Sequence, residues 1–178
     1  TITAPDESYF TVSTEASNGT ASINGKSGVW SYTPNANYNG PDQFTVTVRD
    51  TTDDSAETTT HVIDLTNTAV DDPAKISGDI SGTGEEDGSA VTGTISATDV
   101  EGLTDQTYFT VTSEASKGTA SINTETGVWS YTPNANANGA DQFTVTVTDD
   151  LGGTTIQVVD LRVTAIDDAA IIGGNISD

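Results

Sequence analysis

Apolar and polar residues alternate along most of the chain with a period of two: Phe10 and Val12, Ala21 and Ile23, Trp30 and Tyr32, Phe44, Val46 and Val48, Ile63 and Leu65. Successive side chains of a strand point to opposite faces, so this spacing predicts strands with one buried and one wet face. Thr, Val and Ser dominate the runs, and no stretch keeps a helical period beyond one or two turns. Between the runs stand Asn18-Gly19, Asn24-Gly25, Ser27-Gly28, Pro34-Asn35 and Asn39-Gly40, residues that accept tight turns through backbone freedom, a preset φ or side-chain hydrogen bonds. Asn24 to Gly28, set between two alternating runs, predicts a hairpin.

The pattern occurs twice. Gly28–Asp50 (GVWSYTPNANYNGPDQFTVTVRD) returns as Gly127–Asp149 (GVWSYTPNANANGADQFTVTVTD), the run from Tyr9 returns from Tyr108, and the run from Val62 returns from Val158. The offset between copies is 99 residues at Asp50/Asp149 and 96 residues at Asp64/Asp160, so copy one carries three extra residues between those points. A length change confined to a short polar stretch marks a surface loop. Copy two predicts seven strands, near Ile76–Gly82, Ala90–Ala97, Tyr108–Thr112, Gly118–Asn123, Val128–Thr132, Gln142–Thr148 and Thr154–Thr164. Seven short strands with turn signals at this spacing predict an all-β, immunoglobulin-like Greek-key sandwich. Copy one lacks counterparts of the first two strands, which would bare a core face or a sheet edge that upstream residues or a neighbouring subunit could cover. The expected division is a partial first repeat over 1–73, a complete repeat over 74–169 and the start of a third over 170–178.

Composition changes the picture in two respects. Acidic residues number 27 against 5 Lys and Arg, a formal charge of −22, which excludes a nucleic-acid groove or insertion at an anionic membrane surface and favours cations as partners. Cysteine is absent, which rules out disulfides, zinc-thiolate sites and cysteine nucleophiles. Methionine is absent as well, and the copies are out of phase with the ends, so the sequence reads as a stretch of a longer protein. No run is apolar for 18 residues and none has the layout of a signal peptide, which places any export signal or anchor elsewhere in that protein.

From Ala74 to Gly102 the sequence AKISGDISGTGEEDGSAVTGTISATDVEG is followed by GVWSYTP, DQFTVTVTDDLGG and VTAIDDAA. This order of motifs resembles the VCBS-type, bacterial cadherin-like repeats of large secreted adhesins of the repeats-in-toxin class. The resemblance implies a calcium-associated, extracellular, tandemly repeated sandwich on a bacterial surface.

The acids gather where modules are predicted to end. Asp71-Asp72 and Asp167-Asp168 follow the last strand of each copy, Asp99 and Glu101 end the second strand of copy two, and Asp149-Asp150 begin its last loop. In a sandwich the turns after the second and sixth strands lie at the pole where the chain comes in, so Asp71, Asp72, Asp99, Glu101, Asp149 and Asp150 are predicted to converge. Calcium takes six to eight oxygens, and carboxylates held together without a cation repel one another. The cadherin resemblance places calcium at such a junction, with Asp99-Val-Glu101 standing for an Asp-x-Asp pair, and adds Glu85, Glu86 and Asp87 as acids facing a junction. The loop Asn35 to Asp42 has calcium-loop spacing but Asn where carboxylates are expected, which favours turn capping.

Trp30, Tyr32, Trp129 and Tyr131 could stack on sugars, but their i, i+2 spacing puts each pair on one face of one strand, as a core needs. His61 has no acid and serine constellation at a recognisable spacing and is expected at the surface; Lys26, Lys75 and Lys117 show no spacing that singles out a crosslink. The combined expectation is a non-catalytic, calcium-binding extender or adhesive stalk whose partners are neighbouring repeats. A carbohydrate-binding accessory module for cell-surface or matrix polysaccharide, and a homotypically self-assembling surface filament, are the alternatives.

Overall fold

The computed structural model describes residues 2, 8–49, 57–105 and 107–169, and the chain falls into two compact units, Thr1–Val70 and Asp71–Asp178. Every regular element among the described residues is a strand. The expected residues 170–178 of a third repeat lie outside the described set.

The first unit contains β1 (Tyr9–Thr14), β2 (Gly19–Ile23), β3 (Trp30–Pro34), β4 (Gly40–Arg49) and β5 (Thr58–Asn67), arranged as a sheet in the order β1-β4-β5 and a β2-β3 hairpin. The hairpin is the one predicted at Asn24–Gly28: Ile23 pairs with Trp30, and Asn24 Oδ1 accepts from the amides of Lys26 and Ser27. The carboxamide thus holds the turn itself. Gly28 sits at φ 63, in the left-handed region that glycine enters freely. Phe10, Ala21, Phe44 and Val46 form the buried core, with Ile2, Trp30, Tyr32, Ile63 and Leu65 partly buried against it.

The second unit contains β6 (Lys75–Gly78), β7 (Ser81–Glu85), β8 (Val91–Thr98), β9 (Phe109–Ser113), β10 (Gly118–Ile122), β11 (Val128–Pro133), β12 (Gly139–Thr148) and β13 (Thr154–Thr164). Two four-stranded sheets face each other, β10-β11-β8-β6 and β7-β13-β12-β9. The inward positions of both supply the core, in which Trp129, Tyr131, Ile95, Val145, Val147 and Val159 are wholly buried. This is the predicted immunoglobulin-like sandwich. One predicted strand is not a single strand: Ile76–Gly82 breaks at Asp79–Ile80, so β6 pairs antiparallel with β8 while β7 crosses over to pair parallel with β13.

The β4–β5 and β12–β13 pairs keep equivalent registers, ending at Arg49↔Thr58 and Thr148↔Thr154. The three extra residues of copy one therefore fall between Arg49 and Thr58, where a loop was expected. The Ile2 amide donates to Gly28 O at 3.1 Å, as that of Ile95 on β8 donates to Gly127 O at 2.9 Å.

Each unit also carries the same partly buried polar lock. Tyr131 donates to Asp141 Oδ2 at 2.9 Å, while the carboxylate accepts the amides of Ser116 and Lys117 and the Ser116 hydroxyl. Burial alone would raise the Asp141 pKa, but these donors outweigh it and hold it at about 2. Burial, then the bond to Asp141 and its charge, push Tyr131 up to about 12. In the first unit Tyr32 and the amides of Ser17, Asn18 and Gln43 hold Asp42 in the same way.

Candidate metal centre

Five of the predicted acids meet at the pole where the chain enters the second unit. β12 ends at Thr148, and Asp149 opens the return to β13; its Oδ1 accepts the amides of Leu151 at 3.0 Å and Gly153 at 2.8 Å. β8 ends at Thr98, and Asp99 does the same for its own turn, with Oδ1 accepting from Glu101 at 2.9 Å and Gly102 at 3.2 Å. Both turns are Asx-type, built by a short carboxylate reaching back to amides two to four residues on.

The second oxygen of each aspartate has a different fate. Asp99 Oδ2 and Asp149 Oδ2 are buried and have no hydrogen-bond partner, and Asp149 as a whole is only 4% exposed. An unsatisfied buried charged oxygen costs upwards of about 1–3 kcal/mol, so two of them in one unit call for a counter-charge. Asp71 brings a third carboxylate. A Cβ built on Gly153 would meet Asp149 Oδ2 and both Asp71 oxygens, the latter at 2.5 and 2.6 Å, so glycine alone leaves room for their approach. Partial desolvation, then the charges of Asp149, Asp99 and Asp72, raise the Asp71 pKa above the usual carboxylate range. Asp72 is tied in through its backbone, which donates to Glu101 Oε2 at 3.1 Å.

Asp150, predicted with this group, has its carboxylate elsewhere. It accepts the amide and hydroxyl of Thr104 at 2.8 and 2.7 Å, bonds that lower its pKa and brace the 102–104 loop. Glu85, Asp167 and Asp168 lie at the opposite end of β13, all exposed. The buried acid there is Glu86, 3% exposed, with both oxygens satisfied by Ile166 N at 3.0 Å and Asn138 Nδ2 at 2.9 Å. Among the described residues no three acids or histidines already close around a single metal position. The donor set at the first pole nonetheless suits a hard cation: all oxygen, strongly anionic, with two buried oxygens unpaired.

The remaining candidates resolve as structural. Trp129 and Tyr131 are wholly buried, and Trp30 and Tyr32 are half-buried against the first core. Asn37 and its counterpart Asn136 take positive φ of 61 and 56, and Asp42 is consumed by the lock, so the Asn-rich loops are turns. His61 is exposed, and Lys117 Nζ donates to the main-chain oxygen of Asn138.

The chain matches a known family model, described as bacterial Ig domain, over residues 1–64 and 70–162. The chain belongs to the bacterial Ig domain family. Among solved structures this bacterial Ig chain is similar to the protocadherin GammaB4 extracellular domain, at 14% identity and a TM-score of 0.56, covering 90% of this chain and 29% of that one. It is also similar to protocadherin Gamma B2 extracellular cadherin domains 3-6, at 13% identity and a TM-score of 0.55, covering 90% of this chain and 44% of that one. The chain thus spans less than half the length of these structures, and the likeness shows the cadherin-like fold. Comparison with curated proteins gives no match.

Proposed function

We propose that this pair of bacterial Ig repeats is a non-catalytic, calcium-loaded extender or adhesive stalk segment of a long secreted or surface-held bacterial protein, of the VCBS-type adhesin class. The observation that carries the reading is the pair of buried, unpartnered oxygens, Asp99 Oδ2 and Asp149 Oδ2, beside an Asp71 whose pKa is raised by desolvation and by its neighbours' charges. Asp71, Asp99 and Asp149 are the residues that would hold calcium, with Asp72 and Glu101 beside them. Calcium there supplies two positive charges to a site that otherwise repels itself.

The chain's own residues define what loading would accomplish. Asp71 and Asp72 begin the unit, Asp99 and Glu101 follow β8, and Asp149 follows β12; drawing them together ties the incoming chain to two turns of the sandwich. Adjacent repeats are the partners in this reading, and Asp167 and Asp168 would serve the junction with a repeat that follows. The polysaccharide alternative gains nothing from Trp129 and Tyr131, whose faces are wholly buried.

Thermal unfolding in EDTA and in millimolar calcium, with magnesium as control, tests the proposal. A site with a dissociation constant near 10 µM in about 1 mM calcium stabilises the loaded form by about 2.7 kcal/mol, which for a unit of this size raises the melting temperature by roughly 10 °C. The rise is expected for calcium over magnesium, and Asp99→Ala combined with Asp149→Ala abolishes it. An unchanged melting temperature would leave the acids as a solvated rim and remove the calcium reading.

A further inference from the structure

Spacing in the sequence singles out no lysine for a covalent bond, but the fold of the second unit brings one against an asparagine and a buried acid. Lys117 precedes β10 and is held by its main chain: its amide donates to Asp141 Oδ2 at 2.8 Å, and its oxygen accepts the Asn134 amide at 2.8 Å. Its side chain reaches the loop between β11 and β12, where Nζ donates to the main-chain oxygen of Asn138 at 3.0 Å. Gly139 keeps that approach open. It sits at φ 102, where a side chain would be strained, and a Cβ built on it would stand 3.0 Å from Nζ.

The carboxamide of Asn138 is fixed by another partner. Nδ2 donates to Glu86 Oε2 at 2.9 Å, and Glu86, 3% exposed, is anchored in turn by the Ile166 amide on Oε1 at 3.0 Å. The neighbouring Asp87 Oδ1 accepts the Asn136 amide at 3.4 Å, so the β7–β8 turn and the β11–β12 loop are joined at two points. An amine, a carboxamide and a carboxylate placed on the carboxamide nitrogen thus meet from three segments far apart in sequence.

We infer that Lys117 and Asn138 join in an intramolecular isopeptide bond, with Glu86 as the proton-transferring catalytic residue. The Lys117 ammonium yields a proton to the Glu86 carboxylate, and rotation about its last side-chain torsions carries the neutral Nζ from the Asn138 main-chain oxygen to Cγ of the same residue. The Nζ–Cγ bond forms. Glu86 hands its proton to Nδ2, the Cγ–Nδ2 bond breaks, and the departing ammonia takes one further proton from Nζ, so that ammonium leaves and the carboxylate is regenerated. Holding amine and amide in one fold makes the step unimolecular, which lets an ordinarily inert amide react. The product closes residues 117–138 into a loop around the β10–β11 hairpin, in a chain that has no cysteine to staple it. Copy one repeats the Asn-Gly pair at Asn39-Gly40 but has Asn18 at the position of Lys117, so it serves as an internal control.

The test is mass spectrometry of the purified full chain, intact and after cutting at glutamate. The intact chain is expected to weigh one ammonia less than its sequence. Cutting after Glu114 and Glu125 puts Lys117 and Asn138 on separate pieces, Ala115–Glu125 and one that starts at Thr126, and these are expected to stay joined. Lys117→Arg keeps a donor for the Asn138 oxygen without an amine that can form the amide, and is expected to show full mass and separate pieces. Glu86→Gln, which keeps an acceptor for the Ile166 amide, is expected to slow bond formation at least about tenfold. Because Glu86 is buried and its replacement can unfold the unit, the unsubstituted chain and Lys117→Arg decide on the bond without it. Full mass with separate pieces in the unsubstituted chain overturns the inference. So does a lost ammonia with separate pieces, which would be cyclisation of Asn138 onto the Gly139 amide, or an equal loss in Lys117→Arg. An unchanged rate in a folded Glu86→Gln chain overturns the role given to Glu86.

Discussion

The hairpin that both units share is the same object in two surroundings. β2-β3 and β10-β11 have equivalent registers, turns and tyrosine–aspartate locks, yet Trp129 is sealed while Trp30 is half-buried. Local chemistry therefore makes the hairpin, and strands distant in sequence make the core. In the second unit those strands are β7 and β8, which begin at Ser81 and Val91, well before Trp129 in sequence, and cover it with glycine.

The largest expected effect tests that difference directly. Trp129→Ala removes a wholly buried side chain and should destabilise the second unit by about 3–5 kcal/mol, whereas Trp30→Ala should cost the first unit about 1–2 kcal/mol because less contact is lost. Hydrogen exchange of the β12 and β4 amides reads the two units separately. Equal losses would mean that the two indoles are equally covered in solution.

A smaller effect comes from acid, and its sign differs between two sites of one unit. Asp141 is held at about 2 against roughly 3.9 in an unfolded chain. Its contribution is therefore complete above about pH 4 and lost as pH falls through 2. Asp71 has a raised pKa, so its contribution runs the other way: present when protonated and lost as pH rises through its folded value. In chelator, calorimetry should show the second unit gaining stability as pH falls from 7 toward the ordinary carboxylate range, through the protonation of Asp71, and losing it as pH falls on toward about 2, through that of Asp141. A steady loss from pH 7 downward would contradict the crowding assigned to Asp71.

The smallest effect is expected on the wet faces, where the units are alike. The Ser22–Ser31 and Ser121–Ser130 hydroxyl pairs are exposed or nearly so, and Ser→Ala at any of them should change stability by less than about 0.5 kcal/mol. A large loss in one unit only would show that the contrast extends beyond the core.

How much of this could be read in the sequence depends on the distance over which each feature is decided. The turn at Asn24 was legible because one carboxamide and two nearby amides suffice to make it. The convergence of Asp71, Asp99 and Asp149 followed from strand count and alternation of poles, which a sandwich dictates. The break at Asp79–Ile80 was not legible, since the alternation Ile76, Gly78, Ile80, Gly82 runs through it and only the partner strands reveal the change of sheet. Nor could burial single out Glu86 from Glu85 and Asp87, because the Ile166 amide that satisfies it lies 80 residues away. Asp150 was grouped with its neighbour by adjacency, but successive side chains diverge, and Thr104 claims it.

The crossover at Asp79–Ile80 has a consequence for load. It puts β7, near the start of the second unit, parallel to β13, its last strand, over Ser81–Glu85 and Asp160–Thr164. Tension applied through the incoming and outgoing chain pulls such parallel neighbours past each other, so the rungs between them are strained together in shear rather than opened one at a time like a zipper. Resistance to pulling is then governed by the rate of this concerted rupture rather than by equilibrium stability.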